Sequence, residues 1–330
     1  MDATIAVERI REAAEVIDPS FLHSPQFVCE PLSARTGVTT VLKVESVNPI
    51  RSFKGRGADY LLHRLVSSPS MGAAPLRGTE GEGLRIVCAS AGNFGQGMAY
   101  ACRKRGIPIT VFAAQGANPL KVERMRALGA TVVLEGDDFD QAKDAARRHA
   151  EDHGQLFVED GRIGAIGEGA GTIAVELTQS EAPFDAVFVP LGNGSLVNGV
   201  GTWLKHASPQ TRIIAVCAAS APSMALSWKA RKAIDAPSST IADGIAVRVP
   251  VREALDMMGA TVDEVLLVSE DEMRTAMRHV FDDAGLVIEP AGVAGVAAIA
   301  GRGREFEGRR VATILTGGNL TERQIEEWIY

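Results

Sequence analysis

Short apolar runs alternate with helical patterns from residue 84 to the end of the chain. Runs such as "LRIVCAS" (84–90), "IPITVFA" (107–113) and "RVATILTG" (310–317) are almost continuously apolar, which is typical of strands that are covered on both faces. Because helical segments separate these strands, the connections are expected to be right-handed crossovers between parallel strands. The pattern therefore predicts an α/β protein.

The strands fall into two series, and the break between them lies near residue 155. We expect two open parallel-sheet domains: a large one of residues 1–50 and 155–330, and a small one of residues 51–154. A segment rich in Gly, Pro and Ser (67–83) is predicted to be a loop before the small domain's first clear strand. Ligands bind beyond the carboxyl ends of strands in such sheets, so those ends should carry the site.

Charge and apolar content exclude several classes of function. The net charge of −7 argues against nucleic acid as a partner, because phosphate binding needs clustered Lys and Arg. No apolar run reaches the roughly 18 residues that span a bilayer, and the acidic N-terminal segment lacks the features of a signal peptide. We therefore expect a cytoplasmic protein with no membrane partner. The four cysteines form no CxxC pair and are predicted to be buried thiols.

One lysine stands apart from the other charged residues. Lys54 lies in "NPIRSFKGRGADY" (48–60), after an aromatic residue and before two glycines, where a helical pattern begins. Small residues at such a turn allow a ligand to come close to the backbone. Arg56, two residues later, is expected to be structural and to fix the loop that carries Lys54.

The segment "FVPLGNGSLVNGVG" (188–201) predicts a phosphate-binding loop. Gly192, Asn193, Gly194 and Ser195 follow a strand and precede a helix, so backbone amides and the helix N-terminus can face one anion. The segment is neither a P-loop, since no GK[ST] follows, nor a dinucleotide fingerprint, since Val197 occupies the third glycine position. The alternative is a plain glycine-rich turn.

Three other loops also lie at predicted strand ends. "SAGNFGQG" (90–97) could hold a second anion such as a substrate carboxylate, or it could be a simple N-cap turn. "LTGGN" (315–319) places the Thr316 hydroxyl beside two glycines, and "GEGAGTIAVEL" (167–177) places glycines before a helix predicted to be capped by Thr172. Glu289 in "IEPAG" is expected to cap the next helix or, alternatively, to approach the ligand.

A phosphorylated cofactor that reacts with an amine accounts for these features together. Pyridoxal 5′-phosphate forms a Schiff base with lysine, needs a phosphate loop, and needs a partner at its ring nitrogen. Lys54 offers the amine, the 192–195 loop offers backbone amides, and Thr316 offers a hydroxyl at a strand end. The residues therefore predict a pyridoxal phosphate enzyme.

The chain also resembles a known family over about residues 20 to 320. The ordered segments are "SFKGRGA", "SAGNFGQG", "GAGTIAVEL", "VPLGNGSLVNG", "TIADGIAV", "EPAG" and "LTGGN". In order and spacing they resemble fold-type II pyridoxal phosphate enzymes, above all the threonine/serine dehydratase and serine racemase group. The resemblance implies a tryptophan synthase β-like fold with the cofactor in the cleft between the domains. It also implies a short form without the regulatory C-terminal domain of the biosynthetic threonine dehydratases.

The resemblance implies a role for each site residue. Lys54 would hold the cofactor and remove the substrate's α-proton. The other cofactor contacts would be Phe53 beside the pyridine ring, Asn93 at the 3′-oxygen, Thr316 at the ring nitrogen and, at the phosphate, Gly192, Asn193, Gly194, Ser195 and Leu196. The substrate carboxylate would be held by Ser90, Ala91, Gly92 and Asn93. A neutral hydroxyl at the ring nitrogen favours β-elimination and β-replacement.

Four departures from the family pattern carry further expectations. Phe94 replaces a histidine and Ala170 replaces a glutamine, which suggests a more apolar site and a role for both positions in substrate specificity. Ala91 stands where racemases have a second serine, so one of the two proton donors needed for racemisation is missing. Cys217 stands where a glutamate helps to bind a divalent cation, so we expect no metal site.

The expected reaction is β-elimination from a β-hydroxy L-amino acid such as threonine or serine, giving a 2-oxo acid and ammonia. We expect the cofactor phosphate to protonate the leaving hydroxyl. The alternatives are a dehydratase for a bulky substrate such as phenylserine, a β-replacement synthase, and a non-catalytic amino-acid-binding regulatory protein on the same fold. A small-molecule amino acid is the expected ligand, and the expected assembly is a homodimer.

Overall fold

The computed structural model describes residues 2–67, 83–180 and 182–330, so most of the predicted loop 67–83 lies outside the described residues. The strands are β1 Gln26–Val28, β2 Thr39–Val44, β3 Ile86–Ala89, β4 Ile109–Ala113, β5 Thr131–Leu134, β6 Leu156–Val158, β7 Ala186–Pro190, β8 Arg212–Ala218, β9 Glu264–Val268 and β10 Arg310–Leu315. They form one six-stranded and one four-stranded sheet, which confirms the predicted α/β fold.

Helices connect nearly all of these strands. They are α1 Val7–Val16, α2 Glu30–Thr36, α3 Lys54–Ser67, α4 Asn93–Arg105, α5 Pro119–Ala127, α6 Phe139–Asp152, α7 Gly164–Leu177, α8 Ser195–Ala207, α9 Ser223–Ala230, α10 Arg252–Thr261, α11 Glu270–Ala284, α12 Pro290–Arg302 and α13 Glu322–Trp328. Short 3₁₀ helices lie at Pro19–Phe21, Asp243–Ile245 and Gly303–Phe306. In the part of the chain that the structure describes, none of the helices is long and apolar enough to cross a bilayer.

The larger sheet has the strand order β1-β2-β10-β7-β8-β9. Every neighbouring pair is parallel except β1 and β2 at one edge. All five residues of β7 are buried, because helices cover both faces of the sheet. This two-sided cover explains why its strands are continuous apolar runs.

The smaller sheet has the order β5-β4-β3-β6, and all of its neighbouring strands are parallel. Strand β6 corrects the predicted break near residue 155, because it pairs with β3 in the smaller sheet, with Leu156 opposite Ile86. A three-residue apolar strand contains no local information about which sheet it joins, so tertiary pairing decides its place. The remaining domain boundaries stay a prediction.

Helix α7 corrects a second expectation. The glycines of residues 167–171 lie inside this helix, so Thr172 is not its cap, and the Thr172 hydroxyl donates instead to the Gly169 carbonyl at 2.7 Å. The glycines serve close packing, since a Cβ on Gly169 would lie 2.5 Å from the Arg56 carbonyl oxygen. Helix α7 therefore lies against the backbone of α3, the helix that begins at Lys54.

Arg56 is fully buried in the first turn of α3 and joins several elements. Its guanidinium donates to both carboxylate oxygens of Glu45 at 2.9 and 2.8 Å and to those of Glu176 at 2.6 and 3.0 Å. Lys43 donates to Glu176 from the other side at 2.5 Å. Burial alone would raise the pKa of Glu176, but the hydrogen bonds and charges of Arg56 and Lys43 lower it to about 2. The expected structural role of Arg56 agrees with this network.

Arg56→Ala should destabilise the protein by about 3–5 kcal/mol, because it leaves two buried carboxylates without their main partner. Chemical denaturation followed by circular dichroism measures this change. Arg323→Ala is the control and should change stability by less than about 0.5 kcal/mol, since the Arg323 side chain is 90% exposed. Equal effects of the two substitutions would show that the Arg56 network does not stabilise the fold.

Candidate active site

Lys54 is the first residue of α3, and the loop before it is tied to the loop after β10. Ser52 and Gly317 form an isolated β-bridge, and the Phe53 amide donates to the Thr316 carbonyl at 3.0 Å. These contacts place Lys54 beside Thr316, which sequence analysis had selected as a separate site residue. The two segments are more than 250 residues apart in the chain.

The ammonium group of Lys54 has two close neighbours. Its Nζ donates to Asp160 Oδ2 at 2.5 Å and lies 4.6 Å from the centre of the Phe53 ring. The Lys54 and Asp160 side chains are only 14% and 10% exposed. Sequence analysis missed Asp160, although it follows β6 at the carboxyl edge of a sheet. That position was the available signal.

The predicted phosphate loop lies between β7 and α8, and two glycines shape its backbone. Gly194 adopts a φ of +101°, which favours glycine. A Cβ on Gly192 would lie 2.9 Å from the Gly244 carbonyl oxygen, so glycine is also needed there for space. Ser195 begins α8, and Leu196 is buried beside it. The loop therefore ends at the N-terminus of α8, where free backbone amides and the helix dipole favour an anion.

The side chains of this loop hold Asp160. Ser195 Oγ donates to Asp160 Oδ1 at 2.5 Å, and the Asn193 side chain also hydrogen-bonds to the carboxylate. Burial alone would raise the pKa of Asp160, but the charge and hydrogen bond of Lys54 and the bonds from Ser195 and Asn193 keep it below its ordinary value. Asp160 is therefore an ionised carboxylate that links Lys54 to the loop.

The loop before α4 contains the residues predicted to bind a substrate carboxylate. Ser90 Oγ accepts hydrogen bonds from the amides of Gly92 and Gly95 at 3.2 and 2.9 Å. Ser90 thus makes the N-cap turn that was the alternative interpretation. Ala91, Gly92 and Asn93 are only partly buried, so these three residues form the accessible part of the loop at the N-terminus of α4.

Asn93 is held by two residues of the segments around α12 and after β10. Its Nδ2 donates to Glu289 Oε1 at 2.6 Å, and its Oδ1 accepts from Asn319 Nδ2 at 2.8 Å. Glu289 makes no side-chain cap bond to α12, so the expected capping role is wrong and its alternative location at the site is the observed one. Burial raises the pKa of Glu289. These bonds fix which way the Asn93 carboxamide faces.

A buried lysine, also missed from the sequence, lies beneath this loop. Lys121 of α5 is 2% exposed, and its Nζ lies 2.5 Å from Asp243 Oδ2 and 3.9 Å from Glu289 Oε2. A Cβ on Gly92 would lie 3.9 Å from the same Nζ. Lys121 therefore adds positive charge beside the accessible 91–93 loop and connects it to the segments on the larger sheet.

The two positions predicted to set specificity lie in apolar packing. Phe94 is 6% exposed and belongs to the core cluster around Met98 and Met125. Ala170 is fully buried in α7 and packs with Ile173. Phe53, whose ring lies beside the Lys54 amine, belongs to the same cluster as Ala170. The role of Phe94 and Ala170 in specificity stays a prediction.

Cys217 lies in β8 and is buried, and burial raises the pKa of its thiol to about 12. Within residues 2–67, 83–180 and 182–330, no group of three or more His, Cys, Asp or Glu side chains is placed to hold a metal ion. The expected absence of a metal stays a prediction.

Comparison with protein families and curated proteins gives consistent matches. A family model described as pyridoxal-phosphate dependent enzyme matches residues 19–317. The L-threonine ammonia-lyase of Thermotoga maritima is 34% identical over 327 residues, which cover 98% of this chain and 78% of that protein. The biosynthetic L-threonine dehydratase IlvA of Bacillus subtilis is 31% identical over 331 residues, covering 99% and 76%.

Solved structures extend the similarity to the fold. Maize serine racemase has a TM-score of 0.87 and 25% identity, covering 98% of this chain and 96% of that one. The processed form of threonine deaminase isoform 2 from Solanum lycopersicum has a TM-score of 0.84 and 28% identity, covering 99% and 89%. The chain belongs to the pyridoxal-phosphate dependent enzyme family, as a fold-type II member of the threonine and serine dehydratase group.

Proposed function

We propose that this protein is an ammonia-lyase that converts a β-hydroxy L-amino acid, threonine or serine, to a 2-oxo acid and ammonia. The observation that carries this proposal is the position of Lys54, whose amine is linked through Asp160 to Ser195 at the N-terminus of α8. The relatives named as threonine ammonia-lyase and threonine dehydratase support the same reaction.

The residues at the site fit pyridoxal phosphate. The close approach at Gly192 and the positive φ of Gly194 shape a backbone cradle for the phosphate, and Lys54 supplies the amine for covalent attachment. Phe53 lies beside that amine, and Thr316 adjoins the same loop. When bound, the cofactor withdraws electrons from the substrate's α-carbon and so makes its α-hydrogen acidic.

The chain's own residues then bind, orient and deprotonate the substrate. Backbone amides of residues 91–93 at the N-terminus of α4 hold the substrate carboxylate, where the helix dipole favours negative charge. Glu289 and Asn319 keep the Asn93 carboxamide in one orientation. The amine of Lys54 accepts the α-proton as the general base.

The ligand class, the assembly and the cellular location are part of the same proposal. The ligand is a small amino acid, and the net charge of −7 argues against nucleic acid. We propose a homodimer in the cytoplasm, to be checked by light scattering on the purified protein and by cell fractionation.

Lys54→Ala should abolish covalent attachment of the cofactor and lower kcat by at least about 10²–10⁴-fold, since it removes the catalytic base. The measurement is borohydride reduction of the holoenzyme, followed by mass spectrometry of the Lys54 peptide. Lys229→Ala is the control, because Lys229 is an exposed lysine outside the site. A labelled lysine other than Lys54, or full activity without Lys54, would contradict the assignment and favour a regulatory binding protein.

Wild-type enzyme should release ammonia and a 2-oxo acid from L-threonine and L-serine with higher kcat/KM than from phenylserine. Phe94→His should leave these ratios unchanged, because Phe94 is buried in the apolar cluster of Met98 and Met125. A preference for phenylserine that Phe94→His removes would establish the bulky-substrate alternative. A stable β-substituted product from serine and an added thiol would identify a synthase.

Prolonged incubation with L-serine should yield pyruvate and little D-serine. Racemisation needs a proton donor on each face of the α-carbon, and the methyl group of Ala91 cannot supply one. Chiral chromatography of the remaining serine measures the ratio. Similar amounts of D-serine and pyruvate would show that another group delivers the second proton, and Ala91→Ser provides a positive comparison.

A further inference from the structure

The Asp160 carboxylate is an anion that has no role in the reaction as described so far. Its side chain is 10% exposed and accepts hydrogen bonds from Lys54 Nζ and Ser195 Oγ, each at 2.5 Å, and from the Asn193 side chain. Lys54 is the cation among these partners, and Ser195 and Asn193 are neutral. Burial alone would raise the pKa of Asp160, but these contacts lower it. Asp160 is therefore a buried negative charge that touches the catalytic amine.

Asp160 lies at the strand end next to the proposed substrate-carboxylate site. Strand β6 pairs with β3 so that Val158 lies opposite Cys88, and Asp160 and Ser90 each follow two residues later. Neighbouring parallel strands lie about 4.8 Å apart, which is close to the length of a three-carbon amino acid. A substrate whose α-carboxylate is held at residues 91–93 can therefore place its β-substituent near Asp160.

The reaction removes the counter-ion of this carboxylate. Lys54 must be an uncharged amine to accept the α-proton, and an uncharged amine does not form an ion pair with Asp160. A buried charge that loses its partner is costly, and a phosphate held by the 192–195 loop would add further negative charge nearby. A positive β-substituent on the substrate would replace the missing cation, whereas a hydroxyl group can only donate a neutral hydrogen bond.

We propose that Asp160 recognises a cationic β-substituent, so that the enzyme also eliminates ammonia from amino acids with a β-ammonium group. L-2,3-diaminopropionate is the simplest substrate of this class. The inference rests on the proposed elimination at Lys54 and adds a second kind of leaving group to it. Asp160 acts as an ionised carboxylate, which is the state in which its contacts hold it.

Protons and electrons balance without an added acid. The Lys54 amine takes the proton from the α-carbon, and the electron pair of that C–H bond forms the Cα–Cβ double bond. The Cβ–N bond breaks with its electron pair on nitrogen, so the β-ammonium group leaves as neutral ammonia. Lys54 is then the ammonium ion that pairs with Asp160, and the carboxylate keeps a cationic partner before and after the step. The released enamine takes up one water molecule and yields pyruvate and a second ammonia.

The ratio of two substrates provides the sharpest test. Wild-type holoenzyme should release two ammonia molecules per pyruvate from L-2,3-diaminopropionate and one per pyruvate from L-serine. Asp160→Asn should lower the ratio of kcat/KM for diaminopropionate to that for serine by about 10–100-fold, which corresponds to the loss of one hydrogen bond between charged groups. Taking the ratio removes any general effect of the substitution on Lys54.

Glu159→Gln is the matched control for this measurement. It also removes one negative charge, but Glu159 pairs with Arg147 at 3.2 Å and with Lys143 at 3.6 Å. The ratio of kcat/KM for the two substrates should therefore stay at the wild-type value.

A second measurement does not depend on turnover. The compounds 2-methylserine and 2,3-diamino-2-methylpropionate have no α-proton, so Lys54 cannot start an elimination from them. Their binding to the holoenzyme is followed by the visible absorbance of the cofactor. Wild type should bind the diamino compound at least about 10-fold more tightly than 2-methylserine, and Asp160→Asn should bind the two about equally. The wild-type comparison is decisive even if the variant does not fold.

Several outcomes would overturn the inference. These are no pyruvate from diaminopropionate with an enzyme that is active on serine, equal binding of the two methyl compounds by wild type, and an unchanged substrate ratio in Asp160→Asn. The last result would mean that Asp160 only positions Lys54. Elimination from diaminopropionate but from no β-hydroxy amino acid would reject the proposed function and keep the role of Asp160. If neither substrate yields pyruvate, both proposals are wrong.

Discussion

The buried ion pairs of Arg56 are the interaction on which the rest of the site depends. Arg56 forms ion pairs with Glu45, which follows β2, and with Glu176 in α7. It therefore joins α3 to the end of β2 and to α7. Lys54 lies two residues before it in the same helical turn. Movement of the buried guanidinium would leave both carboxylates without a partner in the low-dielectric interior, which is costly. The backbone at Lys54 therefore has little freedom.

Loops from both sheets meet at that fixed point. Residues 91–93 follow β3, Asp160 follows β6, residues 192–195 follow β7, and residues 316–319 follow β10. All four segments lie at carboxyl ends of parallel strands, where helix N-termini create positive potential. Two acidic residues, Asp160 and Glu289, lie in this region. Each accepts a hydrogen bond from a residue of another loop. The site therefore combines helix N-termini that favour anions with two buried acids held by hydrogen bonds.

Much of the fold and the turns that carry the candidate site residues could be predicted because their signals are local. Lys54, Asn193 and Thr316 lie in glycine-containing turns next to apolar strands, and a turn at a strand end is recognisable from neighbouring residues alone. The failures were non-local. Thr172 was assigned to a cap because glycines usually end helices, whereas here they allow α7 to touch α3. Asp160 was missed because the contact with Lys54 depends on the pairing of β6 with β3 in the smaller sheet.

By itself, the sequence determined the parallel α/β class, the lysine at the start of α3 and the glycine-rich loop before α8, since hydrophobic period and turn chemistry act over a few residues. Only the tertiary structure decided that β6 pairs with β3, that Glu289 contacts Asn93 and that Asp160 meets Lys54. Those contacts join residues up to about 200 positions apart. Their distances depend on how helices and strands pack, which no local pattern of residues specifies.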